Sequence, residues 1–386
     1  MRLQLGLILA LLLQVLFVNN LVAEVLPLKN QTLTVNEKSG KLDGWYHDKS
    51  SKFEQLTTDL PEGVESALRV TPTEAQKFLG FFSQKIALDG KSGSYLFSAY
   101  VQTQTPGAAL LEVKLFKDGK ELKRIDSNQV SGSWQKVLLA FDTLTADSMQ
   151  VLCRWKAGES QVGKTVDFAD LKLMTCDKSL AIIGDSTVQD YSPKSDRRGW
   201  GQMLKPHFSP AIAVTNDAVG GRSTKTFIEE KRWEAVLAAK PDFVLIQFGH
   251  NDSHPKDQPE STDADSDYRE YLIQYVKEAR AIGALPIFVT PPHRRVFRDG
   301  KLAKHLDPYA NQMRQVAREL EVGVVDLYAM TKDKFESLGE EACTELFCSE
   351  TDRSHFSEKG AKLLADYIAI QLPVVCPALV EYLESK

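Results

Sequence analysis

Five short, almost uninterrupted apolar runs dominate the second half of this chain, at residues 180–183, 211–215, 243–248, 286–290 and 322–326. A strand wet on one face alternates apolar and polar residues, whereas one apolar throughout must be covered on both faces. Helical patterns follow at 267–282, 308–320 and 358–372, the first opening on an Asp267/Glu270 capping pattern. This alternation predicts an α/β domain: three layers, α/β/α, around a parallel five-stranded sheet, spanning residues 178–386.

Residues 25–175 have a different texture. Ser94 to Val101 is rich in aromatic and β-branched residues, and Asp118-Gly119 between two strand-like runs is a strong hairpin signal. Further strands are expected at 134–141 and 166–173. With few helical patterns, these half-apolar strands predict a β-sandwich. No Pro- or Ser-rich linker separates the halves, so the domains are expected to abut.

Arg2 and the apolar run over 3–18, with small residues near Ala23, read as a signal peptide over 1–23 and place the protein outside the cytoplasm, secreted or periplasmic. No membrane attachment is expected after cleavage. The net charge of −5 argues against a nucleic-acid partner. Cys153, Cys176, Cys343, Cys348 and Cys376 are disulfide candidates in an exported chain, Cys343 and Cys348 as a loop staple, or else buried free thiols. Their spacing does not suit a structural zinc.

Chemistry concentrates in four segments: Gly184-Asp185-Ser186, the Asn216 to Ser223 stretch with Gly221 and Arg222, Gly249-His250-Asn251-Asp252, and Asp352-Arg353-Ser354-His355. In an open α/β sheet, ligands bind beyond the carboxyl ends of the strands. The first three segments follow the first three apolar runs there, and the fourth precedes the last helical pattern on a loop able to return to the same edge. Together they offer a nucleophile, a base, an orienting acid and hydrogen-bond donors for a developing oxyanion, a set for serine acyl transfer.

Half of the chain, from about Ser179 to Leu372, resembles the SGNH (GDSL-like) hydrolases. Within them it resembles the rhamnogalacturonan acetylesterases, in Gly184-Asp185-Ser186-Thr187, Gly199-Trp200-Gly201, Asn216-Asp217-Ala218-Val219-x-Gly221-Arg222-Ser223, Phe248-Gly249-His250-Asn251-Asp252 and Asp352-x-x-His355-x-Ser357. The resemblance implies Ser186 as nucleophile, His355 as base and Asp352 as its orienting acid. It also implies an oxyanion hole built from the backbone N–H groups of Ser186 and Gly221 and the amide of Asn251. The sandwich resembles jelly-roll carbohydrate-binding modules, in Gly132-Ser133-Trp134-Gln135-Lys136-Val137 and the stretch 166–173. Trp45, Tyr46, Trp134 and Trp155 are its platform candidates, with a core role as the alternative.

Arg222, His250, Trp200 and His293 are candidate substrate contacts, Trp200 alternatively a wedge for the first helix and Arg222 alternatively a partner for a carboxylate. Asp185 and Asp252 are expected to hold their loops. No cofactor is expected and no metal, although His250-x-Asp252-x-His254 raises a metallohydrolase alternative. The expected activity is removal of O-acetyl groups from a polysaccharide, rhamnogalacturonan first. The alternatives are acetylated xylan, another short-chain ester, or glycan binding by a degenerate hydrolase domain.

Overall fold

The computed structural model describes residues 24–384 except 48, 84, 89–92 and 131; the expected signal peptide lies outside the described residues. The N-terminal half is a sandwich of two antiparallel sheets. One runs Gly132–Asp142, Ser94–Thr103, Val166–Cys176, Ala67–Pro72, Ser51–Leu56 in that order; the other runs Trp45–His47, Gln76–Ser83, Ser148–Ala157, Ala109–Lys117, Lys120–Asp126. The Asp118-Gly119 hairpin forms with both central residues at positive φ, 49° and 77°, the twist that a two-residue hairpin turn favours.

Side chains from both sheets interdigitate in one core that includes Phe81, Phe97, Phe168 and Trp155. Trp155 is fully buried and Trp45 is 6% exposed, so these two platform candidates are core residues. Tyr46 is exposed, and Trp134 is half-buried with its indole N–H donating to the Asp59 carbonyl at 2.8 Å. These two stand on edge strands of different sheets.

Only Asp177 lies between the last sandwich strand and the first strand of the second half. There a parallel sheet forms from β1 (Lys178–Gly184), β2 (Ile212–Asn216), β3 (Phe243–Gln247), β4 (Leu285–Val289) and β5 (Gly323–Val325). Their order is 2-1-3-4-5, which reverses direction between β1 and β3. Successive side chains go to opposite layers: Leu180 and Ile182 join one core, Ala181 and Ile183 the other.

The first core is closed by α1 (Trp200–Leu204), α6 (Leu327–Cys343) and α7 (Glu358–Val375). The second is closed by α2 (Thr224–Glu229), α3 (Arg232–Ala239), α4 (Asp267–Ala281) and α5 (Asp307–Glu319). The three layers follow from continuous apolarity meeting a period of two. The Asp267/Glu270 capping pair does not form. Ser266 occupies the N-cap, and the Asp267 carboxylate turns back to accept the Asp263 N–H.

All five cysteines are free thiols, which settles the choice left open by the sequence. The Cys343–Cys348 staple is absent because Cys343 points into the core beside Phe335 and Phe347. Among the described residues no helix is long and apolar enough to cross a membrane.

Candidate active site

The nucleophile candidate sits on a turn that its neighbours leave little freedom. β1 ends at Gly184, where a Cβ would stand 2.5 Å from Val188 Cγ2 and 2.6 Å from the Gln247 carbonyl, so glycine is required by close approach. Asp185, fully buried, accepts the Thr187 N–H at 2.8 Å and its hydroxyl at 2.7 Å. Its carboxyl is held below the usual range: burial opposes this, and the His250 ring and Thr187 donors outweigh burial. The turn thereby presents Ser186 half-exposed at the sheet edge, its own carbonyl capped by the Tyr191 hydroxyl at 2.7 Å.

Beneath it lies Gln247, the buried last residue of β3. Its Oε1 accepts from the Trp200 indole at 2.8 Å and lies 3.0 Å from the Thr187 oxygen, while its Nε2 donates to Asp185 at 3.2 Å. Sequence reasoning missed this hub, although a glutamine at the end of an apolar run was its signal.

His355 Nε2 lies 2.9 Å from Ser186 Oγ, and Nδ1 lies 2.8 Å from Asp352 Oδ2. Asp352 Oδ1 accepts two backbone N–H groups, Ser354 and His355, each at 2.9 Å. Burial pushes the Asp352 carboxyl upward, but these amides and the imidazole outweigh it and hold it well below the ordinary carboxylate range. Arg197 Nη2 adds a contact to Oδ2 at 3.3 Å. A hydroxyl, an imidazole and a permanently ionised carboxylate in line can form an alkoxide equivalent on demand.

The donors for an oxyanion come from the two loops beside this relay. Gly220 N–H is taken by Gln189 Oε1 at 2.5 Å, whereas among the described residues the amides of Ser186 and Gly221 meet no acceptor. This separates Gly221 from its neighbour on geometry. Gly221 has φ +78°, which excludes most other residues, and a Cβ there would project into open space. Ser223 then caps α2 through a capping box with Thr226.

Asn251 Nδ2 donates to the Arg222 carbonyl at 2.9 Å, which ties the β3 loop to the Gly221 loop and, among the described residues, leaves its second N–H uncommitted. Asp252 reinforces the tie by accepting from the Thr224 amide at 3.1 Å and the Thr262 hydroxyl at 3.0 Å.

Of the four candidate substrate contacts, His250 and His293 need correction, and Trp200 takes its alternative role. Trp200 is fully buried and wedges α1 against Gln247. His293 is 2% exposed and stacked on Tyr328, with centroids 3.7 Å apart. His250 is 4% exposed, its Nδ1 3.6 Å from Asp185 Oδ2. Burial lowers the pKa of both imidazoles, that of His293 to about 4. Arg222 stays at the surface, paired with Glu230 at 3.0 Å. The metal alternative is not assembled: His250 faces Asp185, Asp252 faces Thr224 and Thr262, and His254 pairs with Glu260 at 2.6 Å.

Residues 182–363 match the GDSL-like Lipase/Acylhydrolase family. A probable rhamnogalacturonan acetylesterase of Bacillus subtilis (strain 168) is 40% identical over 194 residues, 49% of this chain and 89% of that protein. The chain belongs to the GDSL-like hydrolase family. A second relative of this GDSL-like hydrolase, a rhamnogalacturonan acetylesterase of the same organism, is 37% identical over 221 residues, covering 53% of this chain and 94% of that protein. The crystal structure of the Bacillus subtilis protein YXIM shares the fold over 89% of this chain and 93% of that one, with a TM-score of 0.52 at 19% identity. This GDSL-like hydrolase is a serine carboxylic ester hydrolase.

Proposed function

We propose that the protein removes O-acetyl groups from a polysaccharide, with acetylated rhamnogalacturonan as the first substrate, and that Ser186, His355 and Asp352 carry the reaction. The observation that carries this reading is the unbroken line from Ser186 Oγ through His355 to Asp352, at 2.9 and 2.8 Å, beside amides that meet no acceptor among the described residues. The names of the two Bacillus subtilis relatives support the substrate.

In this mechanism, His355 Nε2 takes the Ser186 proton as Oγ attacks the acetyl carbonyl carbon. The carbonyl oxygen becomes an oxyanion that receives hydrogen bonds from the Ser186 and Gly221 amides and the free Asn251 N–H. Collapse breaks the bond to the sugar oxygen, which takes the proton from His355 and leaves as a hydroxyl. Water, deprotonated by the same imidazole, then attacks the acetyl-serine, and collapse releases acetate as His355 returns the proton to Ser186 Oγ. An extracellular polymer substrate is in keeping with export of the chain, read from Arg2 and residues 3–18.

Acetate release from acetylated rhamnogalacturonan, acetylated xylan, and short and long p-nitrophenyl esters tests the substrate. The expected order places rhamnogalacturonan first and long acyl esters last; preference for xylan would move the assignment to that polymer. Ser186→Ala is expected to abolish turnover with an unchanged far-UV circular dichroism spectrum, and a folded, active Ser186→Ala variant would overturn the mechanism.

A further inference from the structure

Two consecutive arginines follow β4, and neither forms an ion pair with a carboxylate among the described residues. Arg294 Nη2 donates to the His250 carbonyl at 2.8 Å, and its Nε is buried with no partner among the described residues. Burial lowers its pKa, against the opposing charge of Asp185. Arg295 is 5% exposed and turns the other way. Its Nη2 reaches the carbonyls of Glu350 and, at 3.4 Å, Asp352; its Nη1 donates to the Thr344 hydroxyl at 2.9 Å, and its backbone N–H donates to the Arg353 carbonyl at 2.8 Å. Its guanidinium lies 5.5 Å from the centre of the Phe347 ring.

Arg294 is half-buried and Arg295 buried, and a cation drawn out of water without a carboxylate partner is costly. What the two side chains share is their targets: backbone carbonyls of the loops that carry the reacting groups. His250 precedes Asn251, which is bonded to the carbonyl next to Gly221. Glu350, Asp352 and Arg353 belong to the loop that carries Asp352 and His355. The two arginines are consecutive, with Cα atoms about 3.8 Å apart, so the spacing between these loops is referred to one point of backbone at the end of the sheet.

We propose that Arg294 and Arg295 are positioning residues that hold the two halves of the machinery in register, Arg294 for the oxyanion loop and Arg295 for the acid–base loop. The proposal rests on the Ser186–His355–Asp352 mechanism above. Displacements of about 1 Å in such a site cost on the order of 10²-fold in rate. A guanidinium spreads five donors over a rigid plane and so reaches carbonyls that stand apart, whereas an ammonium gathers its three donors at one point. Lysine therefore replaces Arg294, with its single carbonyl target, better than it replaces Arg295.

The test measures kcat, KM and pH profiles of Arg294→Met, Arg294→Lys, Arg295→Met and Arg295→Lys on p-nitrophenyl acetate. Rates are expressed per site titrated with a fluorophosphonate, so that unfolded protein does not count. Both methionine variants are expected to lose about 10²-fold in kcat with KM little changed. Arg294→Lys recovers most of that loss and Arg295→Lys does not, and only the Arg295 variants shift the acidic limb of the pH profile. Wild-type kcat per titrated site in the methionine variants overturns the proposal, even if their melting temperatures fall. Should Arg295→Met not fold, wild-type kcat in Arg295→Lys overturns it equally. A wild-type protein that hydrolyses the ester without reacting with the fluorophosphonate overturns the serine mechanism itself, and the register proposal with it.

Discussion

Asp352 holds His355 by two atoms at once: Oδ2 faces the imidazole Nδ1 at 2.8 Å, while Oδ1 accepts the backbone N–H of His355 at 2.9 Å. The three-residue spacing makes both bonds possible, so acid and base form one local unit that packs against the sheet edge as a piece.

Asp352→Asn should keep the backbone bonds through its remaining oxygen and present an amide to Nδ1, favouring the wrong tautomer of His355. A fall in kcat on the order of 10³–10⁴ is expected, with the fold intact. The wild-type carboxyl is depressed in the folded state, so its stabilisation is complete above the unfolded pKa of about 3.9 and is lost as pH falls below it. Acid unfolding of the variant should therefore be less steep than that of the wild type.

Asn251→Ala removes one oxyanion donor and the bond to the Arg222 carbonyl. If its free N–H acts on the tetrahedral state, kcat falls about 10²–10³ with KM nearly unchanged. A lowered melting temperature with near-normal kcat would reduce Asn251 to a loop tie.

Asp252 is raised to about 7 by burial, against the Thr224 and Thr262 donors that favour its charge. The folded state therefore holds a proton that the unfolded state releases near pH 4, and stability declines as pH rises from about 4 to 7. The limiting slope is about 1.4 kcal/mol per pH unit. Asp252→Asn should flatten that decline in urea denaturation series, and an unchanged slope would assign the pH dependence elsewhere.

A chain beginning at Asp177 should hydrolyse small acetyl esters, because the Ser186, Gly221, Asn251 and Asp352–His355 segments all lie beyond it. It should also melt lower, having lost the Asn128–Asp190 bond at 3.0 Å and the contacts of the sandwich edge with β2. A folded but inert fragment would mean that the sandwich completes the site.

The sheet was legible because continuous apolarity leaves few alternatives to a doubly covered strand. The convergence of the motifs was legible because strand ends share an edge. Burial at that edge was not: Trp200, His250 and His293 carry the residue types of a binding pocket, yet the first supports Gln247 and the third stacks on Tyr328. Helix α6 escaped notice because Gly339, at φ 77°, breaks its period. The loop-holding roles of Arg294 and Arg295 depend on backbone carbonyls, which every residue has and no sequence pattern displays.

The single residue between the sandwich and the hydrolase sheet has a consequence for how a polymer is worked on. A long flexible linker lets an anchored enzyme search a volume around its point of attachment. Asp177 offers no such slack, and the Asn128–Asp190 bond reduces it further. Any chain gripped by the sandwich would meet Ser186 at a set distance along its length, so spacing between acetyl groups, rather than their local abundance, would decide which of them are cut.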